Sequence, residues 1–144
     1  MTDREGEPPV YRTVENDSEM NMAIEKAKGT LNVFEMAFQA GDYDAGTPAL
    51  KIKFPVVAGF EHIWVSEISS DNLTYYGIID NVPKTAKDIK LYDKIKIDKD
   101  DITDWMFGER GELVGGYTIR VIHSRMTKRE KRDFAQNFTL KMSR

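Results

Sequence analysis

The hydrophobic repeat of the chain drops from helical to alternating between Phe38 and Leu50, and this change limits the possible folds more than any other feature. Upstream, Met20, Ala23, Ile24, Ala27, Leu31, Phe34 and Phe38 recur at helical intervals, which lays them along one stripe of an α-helix. Asp17 or Ser18 is placed to accept bonds from the free amides of a first turn, so an amphipathic helix is expected to end before the turn-rich QAGDYDAGTPA. Gly29 weakens its middle by about 1 kcal/mol relative to alanine, so burial of the stripe must hold it. Downstream the period is two. ALKIKFPVV alternates Leu50, Ile52 and Phe54 with Lys51 and Lys53, and Pro55 marks a strand end or an edge. EHIWVSEI and LTYYGIID read as a hairpin about SSDN, DKIKID as a short strand, and ITDWMF with ELVGGYTIRVI as a last pair joined by GERG.

The expected fold is therefore α+β: an N-terminal amphipathic helix packed on a curled antiparallel sheet, or small barrel, of five to six strands, with a short C-terminal helix. That last helix is signalled by Thr127 and Glu130, which match a capping box, and by Phe134 and Phe138 on one face. Gly115-Gly116 is out of place in a strand unless the strand bends or a large ring approaches closely, and Trp105 is the natural ring. At 144 residues and 40% apolar content, one domain is expected over residues 16–123. It is preceded by a loose polar arm, 1–15, and followed by a basic helical tail, 124–144. The tail has seven Lys/Arg against two acidic residues, a net +5, which leaves −8 for the rest of a chain whose total is −3.

The absence of cysteine excludes disulfides, thiolate nucleophiles and Cys-based zinc sites, and is compatible with a reducing cytoplasm. The first residues lack the basic start and apolar stretch of a signal peptide, and nothing approaches a membrane span, so a cytoplasmic protein is expected. His62 and His123 stand far apart without ligand spacing, and no metal or cofactor is expected. DKDDITD lacks the glycine and the terminal glutamate of a calcium loop and reads as a solvated turn. GERG and VGG do not open a helix in this reading, so a phosphate cradle is not expected. The tail could meet nucleic acid through its charge, Phe134 and Phe138, but those rings match a core-facing stripe and the body is acidic. Nucleic acid is not the expected partner.

EHIWVSEI, GIIDNVP, DDITDWMF and GELVGGYTIRVI together resemble the bacterial YegJ-like family, a domain of unknown function. The likeness runs from about Met20 to Ile122, and its most specific part is Asp-Trp followed by Gly-Gly-Tyr-Thr-x-Arg. Members usually carry Gly-Asp where this chain has Tyr92-Asp93. The resemblance implies no established catalytic activity. It suits a non-catalytic binding protein, in its sharpest form an immunity-type factor that binds and blocks a cognate bacterial toxin. Trp64, Tyr75, Tyr76, Trp105 and Tyr117 are the candidate anchors for such a partner, several of them candidates for the core as well. The alternative is a small enzyme or ligand-binding barrel with His62, Asp104, Trp105 and Arg120 converging at one mouth of the sheet.

Overall fold

The computed structural model describes residues 17–143, so the arm expected over 1–15 lies outside the described residues. The helical stripe forms two helices, α1 (Ser18–Gly29) and α2 (Leu31–Ala40), separated at Thr30. Asp17 caps α1 by accepting from the Met20 amide at 3.1 Å. Gly41, in the left-handed conformation at φ 70°, closes α2. The break at Thr30, not foreseen from the helical spacing, has a tertiary partner. A helix end leaves carbonyls without intrahelical donors, and the Trp105 indole N–H donates to the Ala27 carbonyl at 3.1 Å and to Thr30 Oγ1 at 3.2 Å.

The period-two segments make strands β1 (Ala49–Val56), β2 (Gly59–Asp71), β3 (Thr74–Ile79), β4 (Lys94–Ile97), β5 (Ile102–Glu109) and β6 (Glu112–Gly115). They form one antiparallel sheet in the order β4-β3-β2-β1-β5-β6. The edges β4 and β6 are not paired to each other, so the sheet is open and the barrel alternative is corrected. Two-residue turns close two hairpins, Asn72-Leu73 and Arg110-Gly111, with positive φ at both residues of each (53° and 72°; 52° and 80°), the geometry that matches strand twist.

One face of the sheet carries the core. Leu50, Ile52, Ile63, Val65, Tyr75, Ile79, Ile97, Trp105 and Phe107 lie buried there with Phe34 of α2. Phe34 meets Tyr75, Trp105 and Phe107 at centroid separations of 6.0, 6.2 and 6.5 Å. Bulges adjust the register in two places. In β2 the register gains a residue between Ser66 and Ser69, with Glu67 at φ 48°. This lets Val65 and Ile68 both crowd Gly77, where a Cβ would come within 3.0 Å of Ile68 Cδ1. In β5, Lys51 faces Asp104 but Ile52 faces Ile102, so Thr103 is the extra residue.

The segment expected as one long final strand, 112–122, is a strand of four residues followed by helix α3 (Tyr117–Ser124). Gly115 and Gly116 take φ values of 79° and 65° and turn the chain from strand to helix, so the glycine pair does open a helix, contrary to expectation. The capping box of Thr127 and Glu130 is present and starts α4 (Lys128–Asn137). Beyond α4 the chain returns to the sheet: the Leu113 amide donates to the Lys141 carbonyl, and the Lys141 amide to the Gly111 carbonyl, each at 2.8 Å. The tail thereby occupies the outer edge of β6.

Candidate functional site

The signature residues of β5, β6 and α3 form one connected structure. Asp104 is completely buried, and its carboxylate accepts from the Trp105 amide at 2.8 Å, the Tyr117 amide at 3.1 Å, the Thr118 amide at 2.8 Å and the Thr118 hydroxyl at 2.5 Å. Two of these amides belong to the first turn of α3. A helix start is a ready anion site, and here an aspartate from the preceding hairpin strand fills it. Burial pushes the Asp104 pKa up, opposed by its bonds to Thr118 and Trp105 and by the charge of Lys51.

Trp105 points to the other side of β5, into the core. Its ring explains Gly115: a Cβ there would fall inside contact with the Trp105 carbonyl oxygen and 2.6 Å from two ring carbons. The expectation that the glycine pair admits this tryptophan is met at Gly115. Gly116 donates to the Trp105 carbonyl at 2.7 Å, and Tyr117 sets its ring edge-on to the indole at 5.8 Å. Arg120 folds back from α3, donating to the Gly115 and Leu113 carbonyls at 2.9 Å each. Asp, Trp, Gly-Gly, Tyr, Thr and Arg are thus all engaged within the protein, joining strand end to helix start.

Of the four residues expected to converge at one mouth, His62 and Asp104 share the face opposite the core, Trp105 lies on the core face, and the Arg120 guanidinium is turned to carbonyls of its own chain. Directly paired residues of antiparallel strands project to one side, and alternation along each strand keeps them there until a bulge intervenes. Asp104 and Trp105 are neighbours in sequence and so diverge. His62 Nδ1 lies 3.1 Å from Thr103 Oγ1. Burial and the charges of Lys51 and Lys53 hold its pKa down to about 4. Glu61, beside it in sequence, projects the other way and accepts from the amides of Lys84, Thr85 and Ala86 at 2.6, 2.9 and 2.8 Å, fastening the 80–93 loop to β2.

The five anchor candidates separate by the same alternation. Trp105 and Tyr75 are core residues, 1% and 3% exposed. Tyr117 is half-buried and bridges α3 to Thr30, with hydroxyls 3.3 Å apart. Trp64 and Tyr76 stand on the sheet face opposite the core, both partly accessible. Their neighbours there escaped notice in the sequence. Lys51 and Lys53 of β1, Phe60 of β2, and Lys94 and Lys96 of β4 share that face. Lys51 Nζ lies 5.8 Å from the Trp64 ring centroid, Lys53 Nζ 4.8 Å from Phe60, and Lys94 Nζ 5.8 Å from Tyr76. The available signal was the repeated Lys-Ile-Lys of β1 and β4, which fixes two lysines on one side of each strand.

The remaining candidates have local explanations. Asp98 accepts from the Asp100 amide at 3.0 Å and caps a single 3-10 turn, Lys99–Asp101, as a solvated turn would. In the tail, Phe134 and Phe138 stack at 4.8 Å, and Phe134 meets His123 at 5.3 Å. Arg125 forms a fork on Asp17 at 2.6 and 2.7 Å and reaches Glu19 at 2.9 Å, tying the start of the tail to α1. Among the described residues no helix is long and apolar enough to cross a membrane, and no three His, Asp or Glu side chains group as metal ligands would.

Residues 17–142 match the profile of a family described as an uncharacterized protein conserved in bacteria, DUF2314. The putative ankyrin repeat protein NMB1133/NMB1171 of Neisseria meningitidis is 28% identical over 134 residues, covering 88% of this chain and 53% of that protein. The uncharacterized protein YegJ of Escherichia coli is 34% identical over 76 residues, covering 53% of this chain and 50% of its own. The chain spans about half the length of these curated relatives. No solved structure matches it.

Proposed function

The chain belongs to the bacterial DUF2314 family, and from that premise we propose that it works by binding, as a non-catalytic cytoplasmic factor that masks a protein partner. The observation that carries this reading is the Asp104 carboxylate, which is fully buried and accepts four hydrogen bonds from its own chain. The most chemically suggestive motif of the sequence is engaged in joining a strand to a helix, so the function proposed rests on recognition by other, exposed surfaces. In the sharper form of the proposal the partner is a cognate bacterial toxin. The helical layer supports a protein-sized contact: Met22 and Met36 are 71% and 70% exposed there, and methionine adapts its shape to an apolar partner. The acidic excess outside the tail suits a basic partner, since complementary charge speeds encounter.

Coexpression with the products of the adjoining genes in the native genome tests this. A neighbour that arrests growth alone, and is neutralised in a stable complex with this chain, is the expected result. Neighbours that are harmless, or toxic and left uninhibited, would overturn the toxin-masking form.

A further inference from the structure

The face of the sheet opposite the core combines three features that separately mean little. It is built from neighbouring strands, so its side chains form an array and not a scatter. It carries Lys51, Lys53, Lys94 and Lys96, while the aspartate sharing it, Asp104, is fully buried and bonded within the chain. It also carries three aromatic rings, Phe60, Trp64 and Tyr76, each with a lysine ammonium from an adjoining strand 4.8 to 5.8 Å from its centroid. Phe60 is 53% exposed, and Lys94 and Lys96 are exposed at the outer strand. At the margin Asp71 lines a shallow cleft with Ser69, Tyr76, Lys94, Ile95 and Lys96.

We propose that this open sheet face binds single-stranded nucleic acid, with bases stacking on Trp64, Phe60 and Tyr76 and phosphates met by Lys53, Lys94 and Lys96. Lysines held over aromatic rings can move to a phosphate and release the ring face to a base, which replaces one cation–π contact with a stack and an ion pair. A protein surface of acidic side chains would satisfy the lysines but leaves three ring faces to be covered by something flat. A base is flat and brings its phosphate within reach of a neighbouring strand. Lys51 has a smaller part, because its ammonium donates to Thr118 Oγ1 at 3.2 Å and burial lowers its pKa. The total charge of −3 concealed this face. The ligand is independent of any protein partner on the helical layer.

The chain holds two tryptophans, one on this face and one in the core, so intrinsic fluorescence reports the site directly. The experiment titrates the whole chain with a fluorescein-labelled uridine dodecamer, following both anisotropy and tryptophan emission. Saturable binding with quenching of Trp64 is expected, with log K falling against log salt at a slope of about −2, for three phosphate contacts. Lys53→Glu with Lys96→Glu should weaken binding at least tenfold while the melting temperature stays that of the parent. Trp64→Leu should abolish the quenching. Absence of binding at low salt overturns the proposal, as does equal binding by the double variant. Competition by a polyglutamate peptide as strong as that by unlabelled RNA also overturns it and identifies an acidic protein surface instead.

Discussion

Two regions on either side of Asp104 handle polar chemistry in opposite ways. In the junction of β5, β6 and α3, carboxylate, indole, glycine amides, hydroxyl and guanidinium are all directed at partners in the same chain. On the sheet face formed by β1 to β4, lysines and rings are directed outward, held by weak cation–π contacts that a ligand can replace. A motif dense in functional residue types can therefore be structural, and a surface of ordinary alternation can be the recognition element. What separates them is the number of internal partners per polar group, which a sequence does not display.

The sharpest way to break the comparison is at Gly115. Gly115→Ala drives a methyl group into the Trp105 ring and carbonyl at a positive φ, so a loss of about 3 kcal/mol or more is expected by urea unfolding, comparable to the 3 to 5 kcal/mol of Trp105→Ala. Asp104→Ala removes the acceptor for four donors and strips α3 of its cap, with an expected cost of about 3 kcal/mol and faster amide exchange in residues 117–119.

His62 gives a test with a pH window. Its folded pKa, about 4, lies below the unfolded value, so the unfolded chain binds the extra proton between about pH 6.5 and 4. Stability is full above pH 6.5 and falls as the pH drops through that range, by on the order of 2 kcal/mol. His62→Gln should flatten that part of the profile in thermal melts recorded from pH 8 to 4. Asp17, its carboxyl drawn down to about 2 chiefly by the bond from Arg125, contributes in a lower window, its stabilisation persisting to about pH 4 and fading toward pH 2. Arg125→Ala should remove that share.

Tyr92 has a smaller expected effect of the opposite sign. It holds φ 74° and is 73% exposed. Tyr92→Gly should raise the melting point, by up to about 1 kcal/mol of stability, because glycine adopts that backbone without penalty. Smallest of all, Lys53→Ala with Lys96→Ala should change stability by no more than about 0.5 kcal/mol, since neither lysine is needed for packing.

Much of this fold was legible because its signals are local. The change of period placed the helical stripe of α1 and α2, read as one helix, and the first five strands. The capping box of Thr127 and Glu130 placed α4. The glycine pair correctly implied a ring at close quarters. Three features were not legible, and each depends on a distant partner. YTIRV is rich in β-branched residues that favour strands, and it becomes helical because Asp104, thirteen residues earlier than Tyr117, caps it. The break at Thr30 depends on an indole arriving from β5. The lysine face requires the strand order, because β4 follows β3 in the sheet only through pairing that no local pattern encodes. The aromatic candidates divide for the same reason: Tyr75 and Tyr76 are adjacent in sequence, and alternation sends one into the core and the other to the open face.

The most direct test of the contrast between these regions is the urea unfolding midpoint of Asp104→Ala beside that of the paired Lys53→Ala and Lys96→Ala variant. The structural reading of the signature predicts a loss of about 3 kcal/mol for Asp104→Ala and an unchanged midpoint for the lysine pair. An Asp104→Ala protein that unfolds at the parental midpoint would contradict it, and would return the Asp-Trp motif to the list of ligand-binding candidates.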